Sequence, residues 1–187
     1  MKYSNEELLH EEQFTKWEIL SAALIVHPRQ KQVNLTKEEL GKALVFEHWS
    51  NLTPLKNPII DEYWNEYWCS EWRYMSQRVD DLWAKKIIAF LSTWFLLATK
   101  ARKLYNLEQD EEKRIEYMRN AIREKFDNNP ELKEELLATW DREIIEYTYR
   151  WDTRFWIDQN TLKGMNILWK LLMEYRDNNK KLKVYGI

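Results

Sequence analysis

Apolar residues recur every three or four positions through most of this chain, the spacing of one face of a helix. Ser4 and Glu7 form a capping box, and Leu9, Phe14, Trp17, Leu20 and Leu24 follow at helical intervals until His27 and Pro28 stop the run. A second box, Thr36 with Glu39, precedes Leu40, Ala43, Leu44 and Trp49, and the loop "SNLTPLKNP" closes that segment. Asp61 then caps a stretch free of Gly and Pro as far as Pro130, in which Trp64, Trp68, Trp72, Met75, Val79 and Trp83 share one face. This predicts a helix over about 61–106, roughly 45 residues and about 65 Å long.

Ile115, Met118, Ile122 and Phe126 predict a helix over 108–126, ended by "DNN". Pro130 suits a first helical turn and opens another helix, which Leu137, Trp140, Ile144, Trp151 and Phe155 continue. A last helix carries Leu162, Met165, Leu168, Leu172 and Tyr175 before the basic tail. The predicted organisation is an N-terminal helical segment (1–60), a long helix with a core (61–160), and a C-terminal helix with its tail (161–187).

The stretch Ile87 to Thr99 has 13 residues without charge. That is about 20 Å of helix against a bilayer core of about 30 Å, so a buried helix is expected, with a thin or tilted span as the alternative. Lys85, Lys86, Lys100, Arg102 and Lys103 flank the stretch, placed to snorkel from a short span.

Composition supports helices: 3 Gly and 4 Pro in 187 residues are few for a turn-rich β fold. A net charge of −2 gives no pull toward nucleic acid. The single cysteine, Cys69, rules out an internal disulfide and a Cys-based zinc site. The N-terminal sequence lacks the apolar region of a secretory signal, and two Asn-x-Thr matches, at Asn34 and Asn51, are read as helix-flanking residues. Eleven Trp and ten Tyr favour assembly with other proteins, because such rings concentrate at interfaces.

Little catalytic chemistry is visible. Glu7 and His10 make one Glu-x-x-His pair, but a di-iron bundle needs two, and neither His27 nor His48 supplies the second. Asp80 with Asp81 and Glu134 with Glu135 read as solvated acids, and no Gly-rich phosphate loop or Gly-x-Ser-x-Gly elbow is present. Cys69, beside Trp68 and among Glu62, Glu66 and Glu71, lacks an electropositive setting and reads as packing. No cofactor or metal is expected. The tryptophan stripe, with Trp64, Trp68 and Trp72 at its centre, reads either as core or as a surface for a partner helix.

"FLSTWFLLATKARKLYN" followed by "RIEYMRNAIREKFDNNPELKEELLATWDREIIEY" resembles the three-helix pattern of the LYR-motif proteins of mitochondria. Ile122, Arg123, Phe126 and Asn129 match the second-helix pattern Ile-Arg-x-x-Phe-x-x-Asn, while the name-giving triplet reads Thr93, Trp94, Phe95. The resemblance covers residues 90–156 and implies a three-helix core that binds an acyl carrier protein, with Lys100, Arg102, Lys103, Arg119 and Arg123 as a basic clasp. The plainer reading of Arg119 and Arg123 is a solvated face neutralised by Glu112, Glu116 and Glu124.

The expectation is thus an all-α helical bundle, a non-catalytic accessory subunit of a larger assembly. A mitochondrial respiratory complex at the inner membrane is the implied site, with other subunits and an acyl carrier protein as partners and no nucleic acid. The alternative is a free-standing soluble helical adaptor or inhibitor.

Overall fold

The structure, a computed structural model, describes residues 3–13, 15, 23–25, 44–45, 54–92, 107–148, 154–155, 157–158, 161 and 163–185. Among the described residues the elements run, in chain order, α1 (Asn5–Leu9), β1 (Glu12–Gln13), β2 (Ala23–Ile25), β3 (Leu44–Val45), β4 (Ile59–Ile60), β5 (Glu66–Tyr67), α2 (Ser70–Gln77), α3 (Leu82–Ser92), α4 (Glu111–Asn128), α5 (Pro130–Leu137), β6 (Ile144–Thr148), β7 (Ile157–Asp158), β8 (Lys163–Gly164) and α6 (Ile167–Tyr185). The protein is therefore α/β, which corrects the all-α bundle. Two compact units are formed, one by residues 1–50 with 134–187, the other by 51–133.

In the first unit a four-stranded sheet orders as β3-β2-β6-β7 with every pairing parallel, and β1 pairs with β8 antiparallel in a separate two-stranded sheet. Ala23 pairs with Leu44 on one side and with Ile144 on the other. α6 packs on β6, and α1 packs on α6. Residues 167 to 176 of α6 are buried all round, so its charges must be matched inside. Lys170 meets that need: its Nζ donates to the carbonyls of Glu7 (2.8 Å) and His10 (3.2 Å) and lies 3.0 Å from Glu12 Oε1. Two carbonyls at the end of the short α1 are thereby satisfied.

In the second unit β4 and β5 form an antiparallel hairpin, and α2 packs against both α3 and α4. Trp72, Met75, Ile88, Ile115, Met118, Ile122 and Phe126 make its core.

The single helix expected over 61–106 is instead a hairpin and two helices, and residues 93–106 lie outside the described ones. Asp61, which reads as an N-cap, builds a turn: its carboxylate accepts from the Tyr63 and Asn65 backbone N–H groups, the Asn65 amide and the Tyr67 hydroxyl, each at 2.9 Å. Trp64 takes a positive φ of 63° at the tip. The second break has its own cap, Asp81 Oδ1 accepting from the Ala84 N–H at 2.7 Å to open α3.

Two further helices are shorter than their periodicity predicts. α1 ends at Leu9, with His10 extended. α5 ends at Leu137, Trp140 turns with φ 54°, and the β-branched and aromatic "IIEYT" becomes β6. The Ser4–Glu7 capping box, the buried stripe of α4 and Pro130 at the start of α5 are present as read. The Thr36–Glu39 box lies outside the described residues.

Candidate active site

Helix α2 starts at a buried cysteine. Cys69 holds its N-cap position in extended conformation, and Ser70, Glu71 and Trp72 behind it are buried. The first turn of a helix leaves backbone N–H groups without intrahelical partners, and with the helix dipole they favour negative charge. Glu71, 4% exposed, places a carboxylate in that field.

α4 brings the opposite charge. The two helices run antiparallel: Gln77 Nε2 donates to the Tyr117 carbonyl at 3.1 Å, and further on Arg73 forks onto Glu124, Nε to Oε2 at 2.7 Å and Nη2 to Oε1 at 3.1 Å. Lys125, the residue after Glu124, is 1% exposed, and its Nζ lies 5.3 Å from the centre of the Phe126 ring. The Cys69 thiol senses both charges. Burial pushes it up to about 12; the Trp72 N–H lowers it, the Glu71 carboxylate raises it further, and the Glu71 N–H and the Lys125 ammonium pull it back.

A buried carboxylate and a buried ammonium thus both act on one thiol. Such a carboxylate can stabilise a developing cation or accept a proton from water. Such an ammonium can hold an anionic group or hydrogen-bond a leaving nitrogen. Buried charges elsewhere bond to side chains and backbone. Arg78 donates to the Glu108 carbonyl (3.0 and 2.8 Å) and covers the Tyr74 ring; Arg176 donates to Thr139 Oγ1 (3.2 Å) and the Arg142 carbonyl (2.6 Å).

Among the described residues, those expected to bind partners stand in different environments. Trp72 is wholly buried, Trp68 is half-buried with its N–H on Ser92 Oγ (3.3 Å), and Trp64 is 85% exposed at the hairpin tip. Arg119 pairs with Glu116, and Arg123 donates to Asn120 Oδ1 at 3.1 Å, as in the plainer reading of that helix face. Lys100, Arg102 and Lys103 lie outside the described residues. Among the described residues no three His, Cys, Asp or Glu side chains are grouped to hold a metal, and no helix is long and apolar enough to cross a membrane.

Sequence reasoning passed over both central residues. Glu71 stood only among the acids around Cys69, although it falls inside an aromatic run. Lys125 follows Met118 and Ala121 at intervals of seven and four, which puts a lysine on the apolar face of α4, an unusual place for a charge.

Fold and site together define an α/β domain with a buried carboxylate and ammonium at a helix start. The model of the NADAR domain matches residues 35–179, and the chain belongs to that family. It is 29% identical over 127 residues to a riboflavin biosynthesis protein of Vibrio vulnificus (strain YJ016), covering 63% of this chain and 32% of that protein. It is 42% identical over 60 residues to the N-glycosidase YbiA of Shigella boydii serotype 4 (strain Sb227), covering 32% of this chain and 36% of that one. The chain therefore spans about a third of the length of the curated relatives it matches. The NMR structure of the Escherichia coli protein YbiA shares the fold, with TM-score 0.65 and 24% identity over 87% of this chain and 89% of that one.

These findings overturn the LYR resemblance, and with it the respiratory accessory subunit, the inner-membrane location and the acyl carrier protein. The free-standing helical adaptor falls with the all-α fold. The expectation of a non-enzyme is corrected too, since relatives carry the names of an N-glycosidase and a biosynthetic protein.

Proposed function

We propose that this protein is a hydrolase of N-glycosidic bonds, with Glu71 and Lys125 at its active site. Support comes from NADAR membership, from a relative named as an N-glycosidase, and from the buried charges that converge on Cys69 at the start of α2. The last of these carries the assignment of residues.

Hydrolysis of an N-glycoside breaks the bond between the anomeric carbon and nitrogen, through a transition state in which the sugar carries oxocarbenium character. Glu71 faces that developing positive charge and takes a proton from the water that adds to the anomeric carbon. Lys125 hydrogen-bonds the departing nitrogen and supplies its proton, leaving a free base and a reducing sugar. The low exposure of both groups strengthens these electrostatic effects.

N-ribosides of amino-substituted nitrogen heterocycles are the substrate class to try first. One relative is named for riboflavin biosynthesis, and riboflavin bears a five-carbon sugar chain on a ring nitrogen. The test incubates the protein with an N-ribosylated aminopyrimidine and with nicotinamide riboside in 18O-water. Expected is release of free base, with the label in the sugar. Intact substrates after prolonged incubation, or label in the base, would overturn the reading.

A further inference from the structure

Glu71 and Lys125 stand on different helices, so the distance between them depends on what ties the start of α2 to the end of α4. Beside the direct Arg73–Glu124 fork, a three-residue strap, Leu55 to Asn57, makes that connection. At one end the Leu55 N–H donates to the carbonyl of Trp68 at 2.9 Å, just before Cys69 opens α2. At the other end Asn57 meets Asn129, the C-cap of α4, through its backbone: the Asn57 N–H donates to Asn129 Oδ1 (3.0 Å), and Asn129 Nδ2 donates to the Asn57 carbonyl (3.1 Å). Asn129 Nδ2 also donates to the backbone carbonyl of Lys125 at 2.8 Å. The Asn57 amide closes the ring on the Asn128 carbonyl at 3.0 Å.

We infer that the Asn57–Asn129 clamp sets the spacing of Glu71 and Lys125, and that Asn129 is a positioning residue of the active site proposed above, on which this inference rests. Asn129 is 3% exposed, so its bonds are made out of water and fix geometry more firmly than the exposed Lys56–Glu131 pair alongside them. Its amide uses both an acceptor and a donor on one backbone residue, the pairing of a strand edge, while the remaining donor reaches the very residue that carries the ammonium. Small shifts of a catalytic group cost turnover steeply, about a hundredfold for a misplacement near 1 Å.

The experiment measures kcat, KM and unfolding midpoint for the full chain and for Asn129→Ala, Asn129→Asp, Asn57→Ala and Lys56→Ala, with an N-riboside that the unaltered protein cleaves. Asn129→Ala should lower kcat about tenfold to a hundredfold while KM changes less than about threefold, at a temperature where the variant is fully folded. Asn129→Asp, which keeps the acceptor but loses both donors, should fall between, and Lys56→Ala should match the unaltered protein. Asn57→Ala removes only the bond to the Asn128 carbonyl; it should fold in any case and show a smaller drop in kcat. A lowered midpoint with kcat per folded molecule unchanged in both Asn129→Ala and Asn57→Ala would overturn the clamp while leaving the glycosidase reading in place. No cleavage of any N-riboside by the unaltered protein would instead remove that reading, and the clamp's catalytic role with it.

Discussion

Three tryptophans at one helical spacing end in three environments, and their fates can be measured. Trp72→Ala empties a fully enclosed site and should cost about 3–5 kcal/mol in urea unfolding, whereas Trp64→Ala should stay within about 0.5 kcal/mol. Equal losses would mean that the hairpin tip is core. Cys69 offers a second residue-scale test: with its thiol raised to about 12 by burial, it should resist a thiol reagent at pH 8 until urea is added. Rapid labelling of the folded protein would contradict the enclosed site. The reading of Cys69 as packing rested on its acidic neighbours, which are visible locally. Lys125, whose ammonium acts on that thiol, lies more than fifty positions away and was not visible there.

The hairpin of β4 and β5 shows why element boundaries were partly hidden. Asp61 reads the same whether it caps a helix or cages a turn; which one occurs is decided by Tyr67, whose hydroxyl adds a bond a helix would not allow. Burial works against the Asp61 carboxylate, but bonds from Asn65, Tyr67 and Tyr63 hold it below the usual carboxylate range. A depressed folded value contributes stability above the unfolded value of about 3.9, and that contribution is lost as pH falls through the folded one. Glu108 adds in the same direction, held at about 2 chiefly by the Lys113 ammonium and the Asp110 N–H. Urea midpoints of the unaltered protein should therefore fall more steeply below about pH 4 than those of Asp61→Asn. Parallel curves would show that the cage does not hold the carboxylate.

Helix α4 was legible because it carries its own periodic apolar face, and α6 was legible only in part: it begins at Ile167, after β8 and past Met165, and runs on to Tyr185 through the stretch read as a basic tail. The parallel sheet was not legible. Its strands are short, and Ala23 finds Ile144 as partner, a pairing that no local pattern announces. "IIEYT" carried the composition of a strand, but the helical interval from Trp140 to Ile144 concealed it. The false family resemblance has a physical origin as well: Ile122, Phe126 and Asn129 are two core positions and a C-cap, which many amphipathic helices share.

At the scale of the whole molecule, function was hidden because the proposed site has no contiguous motif. It joins the first turn of α2 to the last turn of α4, and each half reads alone as an ordinary helix. The most direct test of the account is the rate of base release from an N-riboside by Glu71→Gln, compared with the unaltered protein under the same conditions. The expected result is a loss of at least about a hundredfold with an unfolding midpoint close to that of the parent, since the glutamine keeps the shape and removes the charge. Cleavage by Glu71→Gln at the parent rate would contradict it.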